Sequence, residues 1–231
     1  MVRARPLVTL HFAQSLDGRI GFGPERERAL LSGAEGFSSA HRARGRSDAV
    51  LVGVRTLIYD DPLLTARNGE RRQPLRVVLD SELRSPPSAR LFGFGDHAGP
   101  VLVFGSRDRA APERRAALER VGARVHLTPP DGAGRVCLRE VLEVLASRGV
   151  ERLLVEGGAC VITSFLQARL AARVELEVAP WLLGAPATPA VQELGVVGLG
   201  QALRLDRMEV EPLGQSLLVC GNVVYPEQSS A

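Results

Sequence analysis

SDAVLVGVRTLIYDDPLLTAR, residues 47–67, begins as a Val- and Leu-rich strand and ends in two adjacent aspartates, a proline, a threonine and an arginine. A strand this apolar belongs inside a sheet. In open α/β sheets, ligands bind where the strands end at their carboxyl side. Asp60 and Asp61 therefore admit three readings: a metal site, a catalytic acid or a turn. A metal site needs several hard oxygen ligands converging. No His or Glu follows at ligand spacing, and the four histidines, His11, His41, His97 and His126, are scattered. No metal is expected.

Working outward, the same strand signal recurs. LVTLHFAQ, LRVVLD, PVLVFG, ARVHL, RLLVEGG and RVELEVAP read as strands closed by Gly, Pro or Asp. CLREVLEVLASRG reads as a helix, with Leu138, Val141, Leu142 and Leu145 on one face and Gly149 where a C-terminal cap belongs. ACVITSFLQARLAA is a second helix. Alternation of this kind predicts an α/β fold with a mostly parallel sheet flanked by helices. MEVEPLGQSLLVCGNVVYP predicts a closing antiparallel hairpin, so the sheet is mixed. ERRQPLR, SPPSARLFGFGDHAGP and GAPATPAVQELGVVGLGQ read as surface loops. No linker is long enough to split residues 1–225, which read as one domain, and residues 226–231 read as a disordered tail.

Composition removes whole mechanisms. All 29 basic residues are arginine. Without lysine there is no P-loop lysine and no Schiff-base lysine. Phosphate must be held by arginine, backbone N–H groups or helix N-termini. The net charge is +3, but the arginines are interleaved with acids and aromatics are only 4%, which argues against nucleic acid. No apolar run reaches the ~18 residues of a membrane helix. MVRARPLVTLHFAQ resembles a leader only superficially, because it alternates like a strand and holds His11 and Gln14. Cys137, Cys160 and Cys220 form no CxxC and read as structural thiols in a reducing compartment. A cytoplasmic protein is expected.

Three further segments sit at strand ends. VEGGACVITS is strand, two glycines, then helix. Glycines let the backbone approach a ligand, and the helix offers free N–H groups to phosphate, although an ordinary tight turn reads equally well. SLDGRIG places Asp17 and Gly18 in a turn. FGSR offers Ser106 and Arg107 as a grip for a 2′-phosphate. GxGxxG and GxSxG are both absent.

In order, AQSLDGRIG, HRARGRSDAVLVGVRTLIYDDPLLTAR, PLRVVLDSELRSP, LLVEGGACVITSFLQARL and APWLLG resemble the reductase domain of riboflavin biosynthesis. That domain is the C-terminal half of the bifunctional pyrimidine deaminase-reductase and also stands alone. The deaminase half needs HAE and PCxxC motifs, which this chain lacks, so only the reduction is expected. The resemblance implies a dihydrofolate-reductase-like fold and a homodimer, with APWLLG and the C-terminal strand as candidate contacts. It implies NADPH as cofactor and a 6-ribosylamino-pyrimidine 5′-phosphate as substrate, with hydride adding to the ring-opened sugar.

By position, the resemblance places Ala13 and Asp17 beside the nicotinamide and substrate. It places Thr56, Asp60, Ser81 and the run Gly157, Gly158, Ala159, Cys160, Val161, Ile162, Thr163 and Ser164 at the cofactor. Arg44, Leu64, Arg67 and Glu156 match substrate positions, with both arginines on the 5′-phosphate. Asp60-Asp61 then caps a ligand-binding loop. Asp17 and Glu156 are the candidate proton sources, with water as competitor. One departure stands out: where the family has a serine and an aromatic, PERERALLSG puts Glu27 and Ala29. Two rival readings follow, a same-fold reductase of dihydrofolate or another pterin-like substrate, and a nucleotide-binding module without catalysis. Whether the pyrimidine is the uracil or the 2-amino form stays open.

Overall fold

The computed structural model describes residues 4–22, 30–67, 69, 73–93 and 99–227. In chain order the elements are β1 (Leu7–Ser15), β2 (Arg19–Gly21), α1 (Ala34–Gly45), β3 (Ala49–Gly53), α2 (Val54–Asp60), β4 (Leu75–Leu79), β5 (Val101–Ser106), α3 (Pro112–Arg120), β6 (Arg124–Thr128), α4 (Leu138–Ser147), β7 (Arg152–Val155), α5 (Ala159–Gln167), β8 (Arg173–Ala179), β9 (Thr188–Pro189), β10 (Arg204–Leu213) and β11 (Ser216–Val224). The chain divides into two compact units, one holding Ser39–Gly158 and the residues up to Leu7, the other Val8–Ser38 and the chain from Ala159. The division falls within α1.

In the first unit, five strands lie in the order β7-β3-β4-β5-β6, every neighbouring pair parallel. β3 is buried at all five positions, as a strand covered on both faces requires. Val50, Val52, Leu57, Leu64, Val78, Val103, Leu118 and Leu154 share one core cluster. Each such side chain contributes about 1.5–3 kcal/mol on burial. α4 buries Val141, Leu142, Leu145 and Ala146, and Gly149 leaves the helix at φ +84, which only glycine adopts without strain.

In the second unit, β1 pairs parallel with β8, β8 antiparallel with β11, and β11 antiparallel with β10. The hairpin turns at Gly214, with φ +62. That backbone favours glycine, and an added Cβ would also push aside the exposed Glu35 side chain, 2.7 Å away. β2 and β9 form a separate two-stranded ribbon. The expected α/β class, mostly parallel pairing and C-terminal hairpin are all present.

Three helices carry no stripe legible in sequence. α1 turns small residues, Gly36, Ser39 and Ala43, to the interior. α2 is seven residues long and starts straight from β3 with no side-chain cap. α3 buries Leu118 alone and is set by Pro112 in its first turn. The SPPSARLF stretch, expected at the surface, is partly interior: Ser85, Ala89 and Leu91 are buried. Arg76 of β4, itself buried, reaches back to donate to the carbonyls of Leu91 (2.6 Å) and Gly99 (2.5 Å). Burial lowers its guanidinium to about 10. At the far end the chain is described through Glu227, and the Pro226 carbonyl accepts from Arg169 Nη2 at 2.6 Å. The rest of the expected tail, residues 228–231, lies outside the described residues, as do Glu27, Ala29 and His97.

Candidate active site

The DDPLLTAR loop leaves α2 through Asp61, whose left-handed backbone (φ 39, ψ 54) ends the helix with Asp61 N–H on the Leu57 carbonyl at 3.1 Å. Pro62 follows and cannot extend the helix. Asp61 Oδ1 accepts from the Arg90 N–H at 2.8 Å, so this aspartate is a structural cap. Leu64 repeats the left-handed turn at φ 54 and is 1% exposed. Its side chain belongs to the core, and its backbone is enclosed with it. Such a leucine costs ~1–2 kcal/mol of backbone strain. Two residues on, Gln73 holds Ala66 from both sides, accepting from its N–H (2.9 Å) and donating to its carbonyl (2.8 Å).

Arg44 of α1 reaches Glu156, the residue after β7, in a two-pronged ion pair: Nε to Oε1 at 2.8 Å and Nη2 to Oε2 at 2.7 Å. Its Nη1 donates to the Thr65 carbonyl at 3.2 Å. The two side chains are 16% and 11% exposed, so the pair is mostly desolvated. Burial works against the charge on Arg44, but Glu156 outweighs it and raises the guanidinium above its ordinary value. His41, one turn earlier on α1, donates Nδ1–H to the same Thr65 carbonyl at 3.1 Å. Burial, then Arg44 and Arg67, lower the His41 imidazole and keep it neutral. Arg67 is exposed, with Nε on Thr65 Oγ1 at 3.4 Å. Three of the expected substrate residues, Arg44, Arg67 and Glu156, thus converge on one loop, joined by His41 and Thr65, which sequence reasoning missed. Their signal was the i, i+3 spacing of His41 and Arg44 in HRAR, visible only once α1 is known to be a helix.

Gly157 and Gly158 follow Glu156. A Cβ on Gly158 would stand 3.4 Å from Thr56 Oγ1, so the glycine keeps that approach open. Asp60 is the last residue of α2. Along α5, Cys160 is exposed, Val161 and Ser164 are half-buried, and Ala159, Ile162 and Thr163 are buried. Thr163 Oγ1 accepts from the Gln192 N–H at 2.8 Å. The first turn of any such helix leaves its leading N–H groups without partners inside the helix. Ser81 Oγ accepts from Val136 N–H at 3.2 Å. Ser106 is fully buried and its hydroxyl has no partner among the described residues, leaving the exposed Arg107 as the accessible member of that pair.

In the second unit, Ala13 lies on β1 in register with Glu177. Asp17 accepts from Ser15 Oγ (2.5 Å), Leu183 N–H (3.0 Å) and Gly184 N–H (2.7 Å). The Ser15 hydroxyl first, then the two amides, hold its carboxyl down at about 2. Asp17 ties SLDG to WLLG as a permanent acceptor and is a poor source of protons. All three cysteines are free thiols.

Taken together, the parallel sheet and the buried Arg44–Glu156 pair beside the Thr65 loop define an α/β protein with its charged cluster where β7 ends. The chain belongs to the RibD C-terminal domain family, whose model matches residues 6–219. Its fold is dihydrofolate-reductase-like. It is 36% identical over 219 residues to the 2,5-diamino-6-ribosylamino-4(3H)-pyrimidinone 5′-phosphate reductase of Methanothermobacter thermautotrophicus, covering 93% of this chain and 97% of that one. It is 31% identical to riboflavin biosynthesis protein RibD of Aquifex aeolicus, covering 95% of this chain and 58% of that one. Among solved structures, Acinetobacter baumannii RibD superposes with a TM-score of 0.80 at 27% identity, over 95% of this chain and 58% of that one. The chain therefore spans the archaeal relative almost completely and a little over half of the RibD proteins.

Proposed function

We propose that this chain is an NADPH-dependent reductase that converts a 6-ribosylamino-pyrimidine 5′-phosphate to its ribityl product in riboflavin biosynthesis. The convergence of Arg44, Glu156 and Arg67 on the Thr65 loop carries the reading. Family membership and the archaeal relative support it. NADPH, when bound, supplies the hydride. The residues suit it: Gly158 has Thr56 beside it and no side chain in the way, the N–H groups opening α5 suit a phosphate, and Arg107 suits a 2′-phosphate.

The chain's own residues bind and orient. Arg67, exposed on the loop, takes the 5′-phosphate. Arg44 has spent Nε, Nη1 and Nη2 on Glu156 and Thr65, so its first task is to aim Glu156 at the ribose hydroxyls. Asp17 and Glu156 are both held as acceptors, Asp17 by three donors and Glu156 by a guanidinium, so the proton that follows hydride comes from water. Arg67→Ala should raise KM for the phosphorylated substrate ~10- to 100-fold with the NADPH KM unchanged, the cost of a charge-assisted phosphate contact.

The deciding experiment follows NADPH oxidation with the ribosylamino-pyrimidine phosphate, in its uracil and 2-amino forms, beside dihydrofolate. Turnover of a ribosylamino-pyrimidine alone supports the reading and tells the two forms apart. Turnover of dihydrofolate alone would move the enzyme to a pterin substrate, and binding without any turnover would make it a nucleotide-binding module.

We further propose a cytoplasmic homodimer. Trp181 and Leu182 of APWLLG, and Met208, Val210 and Leu217 of the hairpin, are large apolar side chains left exposed. β10 pairs only with β11 among the described strands, which leaves an edge for a second copy.

A further inference from the structure

We propose that His41 is a positioning residue for the substrate phosphate, acting through the Thr65 carbonyl to set where Arg67 leaves the loop. The inference rests on the phosphate role given to Arg67 above.

Three observations carry it. His41 and Arg44 lie one turn apart on α1, and both donate to one carbonyl oxygen, at 3.1 and 3.2 Å. That carbonyl follows directly on Leu64, whose left-handed backbone is strained. A strained residue persists only where its surroundings over-determine it, and two donors on the next carbonyl do so. Thr65 in turn accepts from Arg67 Nε through its hydroxyl, so the carbonyl clamp and the arginine share a residue.

The chemistry of the ring suits this task. The charged groups around it are Arg44, Arg67 and Glu156. A carbonyl accepts only, so Nδ1 carries the proton and Nε2 is left bare in the neutral ring. A neutral donor holds the loop without adding a third cation beside two arginines. Asparagine can imitate this, because its Nδ2–H stands where the imidazole Nδ1–H does; alanine cannot.

The test compares His41→Ala and His41→Asn with wild type. The expected result is a KM for the ribosylamino-pyrimidine phosphate raised about tenfold in His41→Ala, an NADPH KM within twofold, and recovery of most of the loss in His41→Asn. Two readouts need no turnover. Ring 15N shifts of wild-type His41 at pH 7.5 should show a protonated Nδ1 and a bare Nε2. Amide exchange at Ala66, whose N–H is held by Gln73, should quicken about tenfold in His41→Ala and return in His41→Asn. An Nε2–H tautomer overturns the inference. So does unchanged Ala66 exchange in His41→Ala, or an asparagine variant no better than alanine. Should the wild type fail to reduce the ribosylamino-pyrimidine, the functional reading falls. The tautomer and the exchange rates then still decide whether His41 sets the loop.

Discussion

At the scale of single residues, two carboxylates look alike in sequence and differ in space. Glu156 is buried against Arg44, and removing one member of a mostly buried pair leaves the other uncompensated. Arg44→Leu should cost ~3–5 kcal/mol in urea unfolding, and adding Glu156→Leu should recover a large part of it. A double variant no more stable than the single one would mean that the pair is not the main tie. Asp17 stands in a turn and is held ionised by hydroxyl and amide donors, with a folded pKa of about 2 against an ordinary 3.8. A depressed carboxylate stabilises the folded state above its unfolded pKa, and the contribution is lost as pH falls toward the folded value. Asp17→Asn should therefore lower Tm at pH 7, and the gap should close between pH 3.8 and about 2. A gap that persists at pH 2 would assign it to packing.

At the scale of elements, legibility followed side-chain size. β3 and α4 announced themselves because Val and Leu fill the positions that the interior demands. Leu142 of α4 is 1% exposed, and Leu142→Ala should cost ~2–5 kcal/mol in denaturant unfolding, the loss of a buried side chain plus the cavity it leaves. α1 stayed hidden because glycine, serine and alanine face inward along it, which leaves no apolar stripe. α2 was hidden by its length, since a seven-residue helix shows too few turns for a period to emerge. The candidate site suffered accordingly. Arg44, Arg67 and Glu156 were named one by one, while His41 was passed over because its partner is a main-chain carbonyl 24 residues away.

At the scale of the molecule, the hairpin leaves Met208, Val210 and Leu217 exposed beside a strand edge that no other described strand pairs, and Trp181 and Leu182 stand exposed in the second unit as well. Light scattering should give a mass near twice the 24.8 kDa of one chain. Met208→Glu with Val210→Glu should shift it toward the monomer. A monomeric wild type at micromolar concentration would overturn the dimer.

The sequence by itself determined the class of fold, because the alternation of apolar strands with amphipathic helices has few packed solutions, and it excluded lysine chemistry outright. It also located the loops at the strand ends, since glycine, proline and aspartate mark them. Only the tertiary structure decided what those loops do. Asp61 became a helix cap, Asp17 a tie to residues 183 and 184, and Ser106 an interior hydroxyl. The partners lie far apart along the chain, 112 residues in the case of Arg44 and Glu156, and hydrogen-bond geometry and desolvation exist only once folding has brought them together.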